Sequence, residues 1–214
     1  NFHKVIGISS SGKQLNDVKI HEGIRVIPLE MTRKITPLKD IFSLIRMIKI
    51  FKKEKPDVVH SHTPKAGIIS MVASIICGIP NRIHTVVGLP LMESYGLKKK
   101  LLLLVEWLTY RCATKVYVNS NSLKKYILKN ISISPKKISV IGYGSTNGVD
   151  IEFFNKNDKI NISANTFKRK FNLINKFTFI FIGRIVKDKG INELVAAFDT
   201  IIKSHGRIVY LFRD

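Results

Sequence analysis

The chain has 214 residues, of which 45% are hydrophobic, so it can build a folded core and is not disordered throughout. Its 36 Lys and Arg outnumber its 15 Asp and Glu, which gives a formal net charge of +21 at pH 7. The apolar stretches are too short to span a bilayer, so no transmembrane helix is predicted. Cys77 and Cys112 both lie in apolar sequence, which favours reduced thiols in a cytosolic protein over a disulfide framework.

The positive charge implies attraction to polyanions, and three partners are compatible with it: nucleic acid, an anionic membrane or phosphorylated small molecules. Frequent use of Lys, Ile and Asn is a purely compositional alternative. Nucleic acid is the weakest of the three partners, because zinc-finger spacing, a basic zipper and an RNA-binding aromatic motif are all absent from the sequence.

The segment 98–112 combines a basic start with an apolar body. It opens with three lysines, continues with four leucines and carries Trp107, Tyr110 and Arg111 near its end. Such a segment suits the surface of an anionic membrane. A core helix with a solvated basic end is the alternative interpretation.

Strands and helices are predicted to alternate along the first two thirds of the chain. Strands are expected over 4–8, 24–27, 57–61, 82–87, 115–118 and 137–141. Helices are expected from Pro37, capped by Thr36, to before Pro56, then over 66–77 and 98–112, and from a cap at Asn119 or Ser120 to Lys129. In the first helix the apolar face is formed by Leu38, Ile41, Phe42, Ile45 and Ile48. This alternation predicts an α/β fold with a parallel sheet and helices on both faces.

The pattern changes after Gly142, where a glycine-rich stretch has no period and a polar segment over 155–165 is predicted to be a linker. A strongly apolar segment over 177–182 then predicts a buried strand. It is followed by a helix over about 191–203, by Gly206 as its terminator, and by a strand from 208. We therefore divide the chain into a first domain, 1–155, and a linker with the first β-α-β unit of a second domain, 156–214.

Ligands of open parallel sheets bind at the carboxyl ends of the strands, where the segments 60–67, 84–90, 142–150 and 183–190 are expected. In the last segment Gly183 allows a tight turn off the strand. Arg184 and Lys189 place two cations beside the N-terminus of the next helix, where free N–H groups also favour an anion. The segment is suited to a diphosphate, and a solvated basic loop is the alternative.

Several other sites are not supported by the spacing of residues. Gly142, Gly144 and Gly148 lack the spacing and the following helix of a dinucleotide fingerprint, and no P-loop is present. No set of His, Cys and carboxylate residues has metal-ligand spacing, so no metal site is predicted. The nucleophile elbow of a serine hydrolase is missing as well.

Three histidines lie at or near predicted strand ends. His60 is expected to be packed or hydrogen-bonded within its strand. His62 follows the strand end, where a role in the cleft and a structural hydrogen bond are equally compatible with its position. His84 is placed within a strand, where a structural role is favoured.

Three motifs occur in a characteristic order. They are Asp-Val-Val-His-Ser-His-Thr-Pro-Lys-Ala-Gly at 57–67, Asn-Gly-Val-Asp at 147–150 with Phe153, and Gly183-Arg184 with Lys189-Gly190. Together they resemble glycosyltransferase family 4, whose members have the two-domain GT-B fold. The segments 83–90 and 112–117 resemble the bacterial branch that acts on polyprenyl-diphosphate-linked sugars in capsule, O-antigen or glycan assembly.

The resemblance implies retaining transfer from a nucleotide sugar, often a UDP-sugar, without a catalytic metal or other cofactor. Arg184 and Lys189, with Gly183, match the positions that hold the donor diphosphate and neutralise the charge that grows on it during transfer. Asn147 and Gly148 match the interdomain loop near the donor.

On the acceptor side, the resemblance implies a cleft lined by His62, Thr63 and Lys65, together with His84 and Gly88 from the next strand and its loop. The basic helix over 98–112 would face the membrane that holds the lipid acceptor, so a peripheral position on the inner face of the cell membrane is expected. Many relatives carry a His at the position of Val87, which removes a His-assisted role there.

The chain begins at Asn1 rather than Met, and we expect it to be a fragment. The first strand with its glycine-rich loop would precede Asn1, and the paired glutamates of the donor domain, spaced E-x7-E, would follow Asp214. The chain alone is therefore expected to be inactive. Two other functions stay open: a non-catalytic basic domain that binds membranes or nucleic acid, and a GT-B epimerase of nucleotide sugars.

Overall fold

The computed structural model describes residues 3–32, 36–145, 148–186, 189–205 and 208–213. The chain divides into two compact units, Asn1–Gly148 and Val149–Asp214. The assignment of 1–155 and 156–214 to an acceptor and a donor domain stays a prediction.

The first unit alternates strands and helices, as predicted. In chain order it contains β1 (Ile6–Ser9), α1 (Lys13–Glu22), β2 (Arg25–Pro28), α2 (Pro37–Glu54), β3 (Val58–Ser61), α3 (Pro64–Ile76), β4 (Asn81–Val86), α4 (Gly96–Cys112), β5 (Lys115–Val118), α5 (Asn121–Asn130) and β6 (Ile138–Val140). A short 3₁₀ helix over Pro90–Glu93 precedes α4. The strands form parallel sheets, with β1 paired to β2 and with the order β3-β4-β5-β6 in the larger sheet.

The core of the first unit lies between the larger sheet and its helices. Its most buried members include Met71 and Ala73 of α3, Val116 of β5 and Ile127 of α5. From β3 to β6 every step along the sheet has the same direction. Because such crossovers are right-handed, α3, α4 and α5 lie on one face of this sheet. Within that layer α3 packs against both α2 and α4.

Polar side chains fix the starts of two helices. At α2 the Asp40 carboxylate accepts hydrogen bonds from the Thr36 N–H at 3.2 Å and the Thr36 hydroxyl at 3.1 Å. The Thr36 side chain makes no capping hydrogen bond itself, so the predicted capping role belongs to Asp40. At α5 the Ser120 hydroxyl accepts from the Leu123 N–H at 3.2 Å, which settles the choice between the two predicted caps.

Of the apolar face that the sequence suggests for α2, Ile48 packs against the core, but the other four residues do not. Ser43, Met47 and Phe51 are the buried residues of this helix. Leu38, Ile41, Phe42 and Ile45 are exposed on the other side. Periodicity alone identifies both stripes as candidates and cannot tell which of them the sheet covers.

The second unit contains α6 (Asp158–Lys170), β7 (Phe177–Ile182), α7 (Ile191–His205) and β8 (Ile208–Arg213), with β7 and β8 parallel. The prediction of a linker over 155–165 is wrong from Asp158 onwards, because α6 begins there. The Asn157 side chain caps α6 by accepting from the Ile160 N–H at 2.9 Å, and basic residues in the last turn favour the helix dipole.

Burial of β7 is also weaker than predicted, because Phe177, Ile180 and Ile182 are exposed in a sheet that has two strands in the described part of this unit. Gly206, the predicted terminator of α7, lies outside the described residues. Within the portion of the chain that the structure describes, none of the helices is both long and apolar enough to cross a membrane.

Candidate functional site

An open cleft of about 700 Å³ lies in the first unit, where β4, β5 and β6 end. This is the edge of a parallel sheet at which ligands are expected. Both polar and apolar residues line the cleft: His62, Thr85, Val87, Tyr117, Val118, Asn119, Ile141, Gly144 and Ser145. The cleft therefore offers hydrogen-bonding groups together with apolar surface, a composition that suits a sugar or another polyhydroxylated ligand.

Backbone contacts fix the shape of the cleft wall. The Asn119 side-chain amide donates to the Val87 carbonyl at 3.0 Å, and the Ser145 N–H donates to the Asn119 carbonyl at 2.7 Å. Gly144 has a φ of +97°, and a Cβ at this position would collide with the Asn119 carbonyl. Only glycine allows the loop after β6 to approach the end of β5 so closely.

His62 lies on the cleft wall and is exposed, as one of its two predicted roles requires. Its ring lies 4.2 Å from the ring of His60, measured between centroids. His60 in turn hydrogen-bonds the Thr85 hydroxyl through Nε2 at 2.7 Å. Partial burial and the proximity of His62 lower the pKa of His60, which favours the neutral form of its ring.

His84 lies beneath the cleft and does not line it. Its side chain is buried, and Nδ1 is 2.8 Å from the Ser61 hydroxyl, which joins the ends of β3 and β4. A Cβ at Gly67 would lie 2.6 Å from Cε1 of His84, so the glycine lets α3 pack directly on the ring. Burial, with smaller effects from His62 and His60, lowers the pKa of His84 to about 4. The neutral ring therefore supports the His62 segment from below.

Thr63 and Lys65 lie at the start of α3. The Thr63 carbonyl accepts the first helical hydrogen bond, from the Gly67 N–H at 2.6 Å. The Lys65 ammonium makes an ion pair with Asp40 at 2.7 Å and so connects α3 to the start of α2. Burial opposes ionisation of Asp40, but the bonds from Lys65 and Thr36 outweigh it and lower the pKa of this carboxyl. The charge of Lys65 is thus balanced locally.

The remaining predicted positions of the first unit lie at loop surfaces. Gly88 follows β4 and is exposed, and a Cβ there would meet no other atom within 4 Å. Gly148 is similarly exposed at the end of the unit. Asn147 lies outside the described residues.

The second unit contains the predicted donor loop between β7 and α7. Arg184 and Lys189 are exposed, and the turn is held by bonds from the Val186 N–H to the Arg184 carbonyl at 2.9 Å and from the Lys189 N–H to the Val186 carbonyl at 3.0 Å. Lys189 consequently lies immediately before the N-terminus of α7. Lys189 is a cation next to a helix N-terminus, and Arg184 is a second cation at the start of the same loop, a combination that attracts phosphate groups.

The strand-end segments expected to bind ligands contain Thr85 and Ser145, but sequence reasoning singled out neither residue. Tyr117 and Asn119 also line the cleft, and sequence reasoning did not assign them to a site. Their positions at strand ends were the available signal, because strand ends of a parallel sheet share one edge. Among the described residues, no group of three or more His, Cys, Asp or Glu side chains is placed to hold a metal ion.

The family described as glycosyl transferase 4-like matches residues 2–120, which is more than half of the chain. This match covers the β3 and β4 ends that carry the histidines.

Two curated proteins are clearly similar to the chain. It is 41% identical over 197 residues to the capsular polysaccharide biosynthesis glycosyltransferase CapM of Staphylococcus aureus, covering 91% of this chain and 50% of the relative. It is 34% identical over 182 residues to the UDP-Gal:alpha-D-GlcNAc-diphosphoundecaprenol alpha-1,3-galactosyltransferase of Escherichia coli, covering 82% of this chain and 44% of the relative. The chain thus spans about half the length of these relatives.

Solved structures share the fold at low sequence identity. A glycosyltransferase from Rickettsia africae has a TM-score of 0.67 at 18% identity, and the match covers 100% of this chain and 61% of the Rickettsia chain. Anabaena HepE in complex with UDP has a TM-score of 0.66 at 16% identity, covering 99% and 70% respectively. A UDP-GlcNAc 2-epimerase from Neisseria meningitidis reaches 0.55 at 15% identity, covering 98% and 65%. The α/β fold of GT-B type expected from the motifs is confirmed.

Proposed function

The chain belongs to the glycosyl transferase 4-like family, and from this premise we propose that the protein transfers a sugar from a nucleotide sugar to a lipid-linked acceptor with retention of configuration. The observation that carries the proposal is the pairing of two features in one chain. One is the cleft at the ends of β4–β6, and the other is the Arg184–Lys189 loop before α7.

A UDP-sugar is the donor that we propose. The Escherichia coli relative is named for a UDP-Gal donor, and HepE was solved with UDP, which supports this choice. In the transfer, the bond between the sugar C1 and the diphosphate oxygen breaks and a bond from C1 to an acceptor hydroxyl oxygen forms. The acceptor hydroxyl releases its proton to solvent, and the nucleoside diphosphate departs carrying one additional negative charge.

Arg184 and Lys189 are the catalytic residues in this proposal, because they would neutralise the departing diphosphate. Arg can bind two phosphate oxygens at once, while Lys contributes a compact charge. The helix N-terminus of α7 adds a partial positive charge at the same place. We propose that these groups supply the stabilisation without a resident metal ion or other cofactor.

The cleft of the first unit is the acceptor site that we propose. His62, Thr85, Tyr117 and Asn119 could hydrogen-bond sugar hydroxyls, and Val87 and Ile141 provide apolar surface for a sugar ring. A lipid diphosphate carrier for the acceptor sugar is supported by the name of the Escherichia coli relative. A role in surface polysaccharide assembly is supported by the name of CapM.

We further propose that α4 contacts an anionic membrane, so that the protein is peripheral on the inner face of the cell membrane. Leu97, Leu101, Leu104 and Leu108 recur on one side of the helix and are between 36% and 84% exposed. Lys98 and Lys100 lie beside this stripe and are exposed as well. An apolar stripe with basic flanks is the composition of an interfacial helix.

The proposal is tested by the Arg184→Ala variant of the full-length protein that contains this chain. We expect kcat for sugar transfer to fall about a hundredfold or more, the typical cost of removing one preorganised charge donor. Lys176→Ala is the matched control, because Lys176 is an exposed cation that precedes β7 on the opposite end from the loop. Equal kinetics of Arg184→Ala and Lys176→Ala would remove Arg184 from the chemistry.

A further inference from the structure

The helices α2, α3 and α4 form one layer of the first unit, with α3 packed between the other two. α3 connects β3 to β4, and α4 connects β4 to β5, so both lie on the same face of the sheet. The layer has an inner side that packs on the sheet and an outer side turned away from it. The composition of this outer side is unusual for a protein surface.

The outer side of α2 is apolar along its first two turns. Leu38, Ile41, Phe42 and Ile45 recur at intervals of three and four residues and are 75%, 54%, 67% and 44% exposed. Large apolar side chains grouped in this way are rare on the surface of a soluble monomer and mark an interaction site.

The other two helices also carry exposed apolar side chains. Lys65 is the sole charged residue of α3, and Ile75 and Ile76 at its end are about half exposed. On α4 the exposed side chains of Leu97, Leu101, Leu104 and Leu108 form a similar apolar stripe. We call these side chains the outer apolar face, defined by Leu38, Ile41, Phe42, Ile45, Ile75, Ile76, Leu97, Leu101, Leu104 and Leu108.

Helix α5 provides a comparison within the same fold, since it connects β5 to β6 on the same side of the sheet. Leu123 and Ile127 are its buried residues. Its exposed positions are polar or charged and include Asn121, Ser122, Lys125 and Lys129. An ordinary solvent-facing helix of this chain therefore looks different from α2, α3 and α4.

The charges carried by α2, α3 and α4 are mostly positive. The carboxylates of the three helices are Asp40, paired with Lys65, Glu54, paired with Arg25 at 2.9 Å, and the buried Glu106. None of these three is available to the outer side as a free negative charge. The exposed cations of α2 and α4 are Lys39, Arg46, Lys49, Lys52, Lys53, Lys98, Lys100 and Arg111.

We propose that the outer apolar face docks on an anionic lipid bilayer, with α2 as a second contact beside α4. Apolar side chains would enter the interface while the surrounding cations attract anionic headgroups. A second copy of the chain suits this face less well, because it would bring two basic margins together. The inference deepens the membrane contact of α4 and rests on the proposed function, in which the acceptor is carried by a membrane lipid.

Docking in this way would present the cleft to the lipid surface. Each helix of the layer follows a strand and runs back along the sheet, so the first turns of α2 and α4 lie at the edge where the strands end. Leu38, Ile41 and Leu97 belong to those first turns. A diphosphate headgroup at the bilayer surface would therefore lie beside the cleft.

Flotation of the full-length protein with vesicles tests the docking. Vesicles of phosphatidylethanolamine and phosphatidylglycerol are compared with vesicles of neutral phosphatidylcholine. We expect Phe42→Ser/Ile45→Ser to lower partitioning onto the anionic vesicles at least tenfold, and Leu104→Ser/Leu108→Ser to do the same. The control is Val18→Ser/Ile20→Ser on α1, whose side chains are also exposed but lie outside the layer, and which should change partitioning less than twofold. Ile41→Ser serves as a milder second variant if the double variant unfolds on thermal melting.

The proposal is overturned if the α2 variants bind anionic vesicles as the control does, or if the unaltered protein binds anionic and neutral vesicles equally weakly. It is also overturned if the α2 variants abolish a dimer in sedimentation while leaving vesicle binding intact. Sugar transfer to a water-soluble, short-chain diphosphate acceptor needs no membrane. Measuring it therefore separates failure of the membrane docking from failure of the proposed function. Phe42→Ser/Ile45→Ser should keep that activity, whereas an unaltered protein that lacks it would refute the transferase proposal and not the docking.

Discussion

At the residue scale, the buried pair of Ser61 and His84 determines how the cleft is supported. The pair links the ends of β3 and β4 through a 2.8 Å hydrogen bond, and Gly67 leaves no room between α3 and the ring. Burial disfavours the charged form of His84 and holds its pKa at about 4, below the ordinary value of 6.5. The unfolded chain therefore takes up a proton at this residue at higher pH than the folded chain does.

This difference predicts an acid-sensitive contribution to stability. Above pH 6.5 His84 is neutral in both the folded and the unfolded chain, and its contribution to the free energy of unfolding is fully present. As the pH falls towards 4, the unfolded chain is protonated first, and about 3 kcal/mol of unfolding free energy is lost. His84→Gln, which keeps a polar group near Ser61, should flatten the fall in unfolding free energy between pH 7 and pH 4.5. Urea unfolding followed by the fluorescence of Trp107, the single Trp of the chain, measures this at both pH values.

The buried Glu106, whose pKa is raised by burial, is present in both proteins and cancels from the comparison. A variant with the same pH dependence as the unaltered protein would show that His84 is not the group responsible.

The sequence allows some of these residue roles to be predicted and not others. The order of motifs identifies His62, Arg184 and Lys189 as residues of interest. It does not indicate that Lys65 is neutralised by Asp40, because the two residues are distant in the chain and meet only when α3 packs on α2. Equally, no motif separates an exposed His62 from a buried His84. The distinction arises because His62 follows the end of β3, whereas His84 lies inside β4 with its ring covered by α3.

At the element scale, the C-terminus of α4 is held by two cations from other elements. The Lys137 ammonium donates to the carbonyls of Tyr110 at 3.2 Å and Arg111 at 3.1 Å. The Arg82 guanidinium donates to the Cys112 carbonyl at 2.7 Å. These carbonyls belong to the last turn, where a helix lacks internal donors, and the cations also suit the negative end of its dipole.

Replacing Lys137 with Met should therefore destabilise the first unit by about 1 kcal/mol, the usual net value of a hydrogen bond lost at a partly exposed site. Lys136→Met is the matched control, since the neighbouring Lys136 is exposed and the same charge is removed. Urea unfolding of both variants at pH 7, again followed by Trp107, provides the measurement. Equal stability of the two variants would mean that Lys137 does not cap α4.

The order of elements was largely predictable, and their exposed faces were not. Alternating strand and helix patterns and turn residues were enough to place most elements from β1 to β6. The exceptions are α1, for which the sequence analysis predicted no element, and α6, whose polar composition suggests a linker although Asn157 and Asp158 are good helix starters. On α2 the pattern permits two stripes, and tertiary packing selects Met47 and Phe51 for the core.

At the scale of the whole molecule, the net charge of +21 acquires a specific meaning from where the charges lie. Several lysines and arginines of α2 and α4 accompany exposed apolar side chains, and two further cations lie in the loop between β7 and α7. Composition alone could not distinguish nucleic acid, membrane and phosphorylated ligands as partners. We propose that the layer of α2–α4 contacts a membrane and that the loop of Arg184 and Lys189 binds a diphosphate.

Family and fold were accessible from the sequence because three motifs occurred in one order, and the family match together with the shared GT-B fold confirms both. Transferases and epimerases share this architecture, as the similar structures illustrate. The fold therefore does not distinguish the two reactions. They differ in that a transferase needs an acceptor and an epimerase does not.

The most direct test of the transferase proposal is the acceptor dependence of UDP release. The full-length protein is incubated with a panel of UDP-sugars, with and without a polyprenyl-diphosphate-linked sugar. We predict that UDP appears only when the acceptor is present and that the sugar is recovered in the lipid fraction in equal amount. Conversion of a UDP-sugar without acceptor, or no UDP release from any sugar in the panel when acceptor is supplied, would contradict the proposal.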